Sequence, residues 1–358
     1  MNFGLSRADP PTLHMGWEMV AVGPEHRIGK VDPSIAIVSA QERGGKSGLS
    51  ETNGLQQTDA KIAEFVEREL RPAIRRTSPH GRAQVLLYIH GYRTTFEEAV
   101  RNTAQLAADL NFVSCDGKQR GIAICYSWPA QNTVLGYLSD EENAEWTQQR
   151  LAPFVQALSR MCQRERADLT LMAHSMGARA LVRSLADLAN SCSQDRRGVR
   201  LANHVILLAP DIGKGLFDQY VDRFLPLVHH LTIYVSSRDR ALGLSTFLHG
   251  GHGRLGLIET TVLAAMQITG LHHEDHRELG YVAAQPGNAK IDMIDVTGSI
   301  VGSLGHSYED PAFIADLRAL IYQDSPPGVG ARAHLDRRQV RSGLFRNLAT
   351  LNYFQLRH

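Results

Sequence analysis

The chain has 358 residues, of which 43% are hydrophobic and 21% charged, with a formal net charge of +1. That is the balance of a globular protein with a sizeable core, and so small a charge gives no field favouring nucleic acid or anionic lipid. No apolar run is long enough to span a bilayer and Met1–Pro11 has no apolar targeting segment, so the expected setting is the cytoplasm, with no membrane span.

Residues 1–33 are rich in Pro and Gly and predict an irregular lead-in. Ser34–Ser39 predicts a short strand. The run Gly44-Gly45-Lys46-Ser47-Gly48 resembles part of a phosphate loop. It lacks the first glycine at the required spacing and no apolar helix follows it directly, so a surface loop is expected. Ile62, Phe65, Val66, Leu70 and Ile74 give Thr58–Arg76 a single buried helical face. Val85–Ile89 is an unbroken apolar run, as in a central parallel strand, and leads straight into His90-Gly91-Tyr92. A helix follows from Phe96 to about Leu110. The strand Gly121–Tyr126 then ends on Ser127-Trp128-Pro129, and Thr133–Asp140 reads as a loop before a helix over Glu141–Gln163.

The strand Leu169–Ala173 passes through a serine turn into a helix from Ala180. Asn203–Ala209 is a strand closed by Pro210-Asp211, and Leu231–Ser236 one closed by Ser237-Arg238-Asp239. Ile291–Val296 is the last core strand before a closing helix over Pro311–Gln323. Strand and helix alternate throughout, which predicts an α/β fold: a mostly parallel, doubly wound sheet flanked by helices over residues 34–325. Arg332–Arg346 is basic but continues into Leu348, Leu351 and Phe354. Residues 326–358 therefore read as a tail packing on the body rather than as a nucleic-acid segment.

Strand, serine turn and helix are the setting of a nucleophile elbow, in which the residues two before and two after the serine must be small. Ala173-His174-Ser175-Met176-Gly177 meets that demand, with Ala173 where glycine is usual. A plain serine at a helix start would need no partners, but partners are present. A serine hydroxyl needs a histidine to take its proton, and that histidine needs an acid to hold it. Ser175, Asp239 and His306 fall in the order of such a triad, each after a strand, with Asp211 as the alternative acid. The oxyanion donors expected are the N–H groups of Met176 and Tyr92, with Gly91 letting its loop come close. His90, Gly91, Tyr126, Trp128 and Tyr137 are the candidate substrate-binding residues.

Other clusters carry less. His272, His273, Glu274, Asp275 and His276 lie together, but no second ligand group completes a metal site, so a solvated loop is expected. Cys115, Cys125, Cys162 and Cys192 have neither CxxC nor zinc spacing and fit reduced thiols. No cofactor and no metal are expected.

Several stretches in combination carry a family resemblance: Tyr88–Ala99, Ala104–Leu110, Ser127–Pro129, Leu171–Gly177, Leu207–Ile212, Tyr234–Leu242 and Gly305–Tyr308. Together they resemble the α/β-hydrolases catalogued in bacteria as a domain of unknown function, from about the Ser34 strand to the Pro311–Gln323 helix. The resemblance implies a serine hydrolase of esterase type with Ser175, Asp239 and His306 in the triad positions. The aromatic residues near the strand ends point to small-molecule esters with hydrophobic or aryl groups. The same apparatus would also serve acyl transfer or amide and thioester hydrolysis, and a binding module on this scaffold is the remaining alternative. Residues 254–288, between the acid and the base, look like an insertion that would act as a lid.

Overall fold

The computed structural model describes residues 13–23, 26–29, 36–38, 50–52, 55–77, 82–113, 118–131, 133, 136–191, 200–236, 242, 254–255, 282–283, 290–297, 300–301, 307–308, 310–325, 327–328, 330–341 and 350–356. It divides into two compact units, Met1–Leu171 and Met172–His358.

In the first unit, two short antiparallel pairs occupy the N-terminal stretch: β1 (Leu13–Met15) with β4 (Ser50–Thr52), and β2 (Met19–Ala21) with β3 (Ala36–Val38). β1 and β2 fall inside the span that composition predicts to be irregular. A helical stretch follows as α1 (Leu55–Phe65), a π-helical turn at Val66–Leu70, and α2 (Arg71–Thr77). The wide turn has a cause in the sequence. Ile62, Val66, Leu70 and Ile74 are all buried and recur every four residues, so on an ideal α-helix their stripe would drift steadily around the axis. A wider turn takes up that drift and keeps the four on one face.

β5 (Gln84–Ile89) is buried at all six positions, as an apolar run with two covered faces must be. It pairs in parallel with β6 (Gly121–Tyr126), from Gln84 opposite Gly121 to Ile89 opposite Tyr126. Between them α3 (Phe96–Asp109) starts on a reciprocal cap, in which Thr95 and Glu98 each accept from the other's backbone N–H. α4 (Tyr137–Glu165) begins four residues before the expected start and takes in Asp140. β7 (Asp168–His174) opens beside β5, where the Asp168 N–H donates to the Ala83 carbonyl at 2.9 Å.

The second unit takes up β7 and continues through α5 (Gly177–Ser191), β8 (Ala202–Leu208), α6 (Lys214–Phe224), β9 (Val228–Val235), β10 (Val282–Ala283) and β11 (Lys290–Asp295). It ends with β12 (Ile300–Val301), β13 (Ser307–Tyr308), α7 (Pro311–Gln323), β14 (Leu335–Arg341) and β15 (Thr350–Leu356). Its strand order is β7-β8-β9-β11-β15-β14. β8, β9, β11 and β15 run parallel, and β14 returns antiparallel along β15. The C-terminal segment thus supplies two strands beyond β11. Val205, Ile206, Leu207, Leu231, Ile233 and Ile294 on the strands, with Leu181, Val182, Leu185, Phe217 and Val221 on the helices, form this unit's core. The architecture is α/β, with mostly parallel strands flanked by helices.

Among the described residues no helix is long and apolar enough to cross a membrane. Asp239, His306, the glycine run at 44–48, the histidine cluster at 272–276 and nearly all of 254–288 lie outside the described residues.

Candidate active site

β7 is apolar through Leu169, Leu171, Met172 and Ala173, all buried, and it stops at His174. Ser175 follows with φ +52°, in the left-handed region that side chains other than glycine rarely enter. Three backbone bonds hold it there. Its N–H donates to the Leu208 carbonyl at 2.9 Å, and its own carbonyl accepts from Asp211 N–H at 3.0 Å and Ala178 N–H at 3.1 Å. α5 starts at Gly177, so Ser175 and Met176 sit over the positive end of a 15-residue helix. Among the described residues no acceptor takes the Met176 N–H.

Ala173 and Gly177 are both buried, as the small residues flanking such a turn are expected to be. The strained geometry that the small-x-Ser-x-small pattern predicts is therefore present at Ser175. The next turn is strained as well: Ala209, directly after β8, has φ +40°. Asp211 is buried there, with its carboxylate 3.4 Å from Nε of Arg254, itself 3% exposed. Leu255 N–H donates to the Ile212 carbonyl at 2.9 Å, so the 254–255 backbone is stitched to this turn.

In the first unit the loop after β5 is braced from within. The His90 ring is wholly buried and stacks on Trp128, with centroids 5.0 Å apart and planes 4° apart. His90 Nδ1 lies 2.7 Å from the Gly91 carbonyl, and Nε2 accepts the Trp128 backbone N–H at 3.0 Å. The Trp128 indole N–H donates to the His90 carbonyl at 2.8 Å. An Nε2 that accepts and an Nδ1 that donates define one neutral tautomer. Burial pushes the His90 pKa down to about 4, only partly opposed by the bonds to Gly91 and Trp128.

Tyr126 is also buried, and its hydroxyl is bonded to Thr147 Oγ1 at 2.9 Å. The sequence reading gives His90, Tyr126 and Trp128 to a substrate wall. The structure gives them internal partners that shape the loop. Tyr92 is half-buried, and its ring meets Tyr137 edge-on at 5.5 Å.

Asp140 does work that sequence reasoning misses. This fully buried carboxylate accepts the Arg93 N–H at 3.3 Å and also the Gln131 N–H, clamping the loops after β5 and β6 together. Arg93 is itself left-handed, at φ 55°. Burial raises the Asp140 pKa, against the pull of those N–H groups. Its signal was hidden because Asp140 sits in the first turn of a helix that the sequence starts one residue later.

Of the six left-handed residues other than glycine among those described, Asn111, Arg166 and Asp324 end helices. The other three, Arg93, Ser175 and Ala209, sit in the turns after β5, β7 and β8. In the second unit, Ser175 and Ala209 thus lie after the carboxyl ends of neighbouring strands, the end at which α/β folds bind ligands.

Three solved structures align with the chain at low identity. They are a dienelactone hydrolase from Anabaena variabilis (13% identity, 68% of this chain and 85% of that one, TM-score 0.38), esterase PE8 (14%, 66% and 93%, 0.36) and a Pyrococcus furiosus esterase (12%, 60% and 72%, 0.31). No curated protein matches the sequence. A family model matches residues 67–279, more than half of the chain, and that span contains β5 to β9 and the strained serine turn. The chain belongs to the family described as alpha/beta hydrolase of unknown function, DUF900.

Proposed function

We propose that the protein is a serine-dependent carboxylic ester hydrolase working through an acyl-enzyme. The observation that carries this reading is the left-handed Ser175 at the head of α5, beside the Met176 N–H. In the proposed reaction the Ser175 hydroxyl attacks the acyl carbonyl while His306, oriented by Asp239, takes its proton. The Met176 N–H holds the oxyanion, and the Tyr92 N–H is the proposed second donor. His306 returns the proton to the departing alcohol, and water then releases the acid by the same path. Asp239 is preferred to Asp211 as the acid, because the Asp211 carboxylate already faces Arg254. Small esters with hydrophobic or aryl groups are the proposed substrates.

A fluorophosphonate probe tests the reading. Wild-type protein should label at one site, and Ser175→Ala and His306→Ala should both abolish the label. No label on folded wild type would overturn the reading in favour of a binding module. Product analysis with added alcohol or amine separates hydrolysis from acyl transfer.

A further inference from the structure

Near the amino-terminal ends of the second unit's strands, a different set of side chains converges. His204 and His230, each the third residue of its strand, are register partners on β8 and β9. Asp324 follows the last turn of α7. One ligand atom from each of the three lies within 4.8 Å of the others, and His230 Nδ1 is 3.5 Å from Asp324 Oδ1. His204 is 4% exposed and His230 1%. Among the described residues His204 Nδ1 has no hydrogen-bond partner, and His230 Nδ1 and Asp324 Oδ1 have only each other, at 3.5 Å. Buried polar atoms are rarely left so.

The remaining contacts read as an outer shell. His230 Nε2 lies 2.5 Å from Asp292 Oδ2, and His229 Nε2 lies 2.7 Å from Asp324 Oδ2. Arg332 reaches Asp292 at 3.0 Å and grips both oxygens of Asp316 at 2.7 and 3.0 Å. Tyr234 O–H donates to Asp316 at 2.6 Å, and His334 Nε2 is 3.4 Å from it. Among the described residues three carboxylates, of Asp292, Asp316 and Asp324, gather around the one guanidinium of Arg332, a setting that favours a further cation. Asp324 also has φ +47°, at a helix end where glycine is usual.

We propose that His204 Nδ1, His230 Nδ1 and Asp324 Oδ1 bind a divalent transition-metal ion of the zinc type. Zinc–nitrogen bonds of about 2.0–2.1 Å put tetrahedral ligand atoms about 3.3 Å apart. The His230–Asp324 pair is already near that spacing, and His204 closes in on binding. A carboxylate on the far nitrogen of one ligating histidine, and a histidine on the far oxygen of the ligating acid, are the supports such sites use. Water takes the fourth position, and the 41% exposed Asp324 side chain marks the way in. Four residues separate His204 from Leu208 at the serine end, about 13 Å of strand, so this ion stands apart from Ser175. It ties the end of α7 to β8 and β9.

The experiment is a calorimetric titration of the chelator-stripped full chain with zinc chloride, followed by the visible spectrum with cobalt(II). Wild type should bind one equivalent with Kd in the micromolar range or below, show four-coordinate cobalt bands and melt several degrees higher with zinc. Asp324→Asn, which keeps a residue tolerant of the left-handed conformation, and His204→Ala should each weaken binding about 100-fold. X-ray absorption on the wild-type zinc form should count two imidazole nitrogens, a readout that does not depend on either variant folding. Absence of saturable binding would overturn the proposal in favour of an imidazolium held between Asp292 and Asp324. Undiminished binding by both variants would overturn it too, by putting the ion elsewhere, for example on the histidines at 272–276.

Discussion

β8 joins two polar environments of opposite character. At its carboxyl end, beside Ser175, the features are backbone ones: left-handed turns at Ser175 and Ala209, the Met176 N–H, and the start of a helix. Asp211 faces Arg254 there. At its amino end the chemistry is almost all side chain, with Asp292, Asp316 and Asp324 crowded around Arg332, His229 and His230. Fixed dipoles and strain suit a neutral hydroxyl that must meet a developing negative charge, because they need no reorganisation when it forms. A knot of formal charges suits locking elements in place, since every member loses heavily if its partner goes.

The sharpest way to separate the two ends is to cut each at its centre. Ser175→Ala should lower turnover of a p-nitrophenyl ester by about 10⁴- to 10⁶-fold, while far-UV circular dichroism stays unchanged. An active alanine variant would remove the serine end from the chemistry. Arg332→Met should do the reverse and act on stability, measured by urea midpoint. Arg332 is fully buried between Asp316 and Asp292, and burial raises the Asp316 pKa less than His334, Arg332 and Tyr234 lower it. Removing the guanidinium leaves two buried carboxylates without their cation, at about 3–5 kcal/mol. A loss below about 1 kcal/mol would mean that the amino end is no lock.

The two ends were not equally legible in the sequence. The serine turn was, because its determinants are contiguous: an apolar strand, small residues around Ser175 and helical spacing after it fall within 168–191. The parallel strands were legible for the same reason, since burial on both faces forces unbroken runs such as Val85–Ile89. The amino-end cluster takes one residue each from 204, 230, 292, 316, 324 and 332. No spacing rule joins them, and the eye goes to the contiguous His272–His276 stretch instead. β14 was hidden by its composition: Leu335-Asp336-Arg337-Arg338-Gln339-Val340-Arg341 reads as a basic tail. It is the last strand in its unit's order, and edge strands favour charge over apolar runs. Asp140 was hidden because the sequence starts its helix one residue later, and because the loop N–H groups of Arg93 and Gln131 that it accepts from carry no sequence signal.

If neutrality is the rule at the carboxyl ends, it holds for β5 as well. His90 is neutral in the fold with its pKa near 4, whereas in the unfolded chain it titrates near 6.5. Between those values the unfolded state binds the extra proton, so stability falls as pH drops from about 6.5 towards 4. The full effect is about 3 kcal/mol. His90→Gln should flatten that part of the profile relative to wild type. An imidazole of His90 found protonated at pH 6 by NMR would break the rule.

The smallest effect tests the strain itself. A residue with a side chain in the left-handed region costs about 1 kcal/mol relative to glycine. Ser175→Gly should therefore be more stable than Ser175→Ala by about that amount in urea midpoint, although both lack the hydroxyl. The same exchange at the other end has the opposite sign. Asp324→Gly relieves a similar backbone, at φ +47°, but removes the carboxylate that lies 2.7 Å from His229 and 3.5 Å from His230. Its net effect should be destabilising, because the carboxylate contacts outweigh the relief. Glycine gaining at 175 and losing at 324 would show that one end is held by backbone and the other by charge. Equal signs would mean that the left-handed turns are incidental at both.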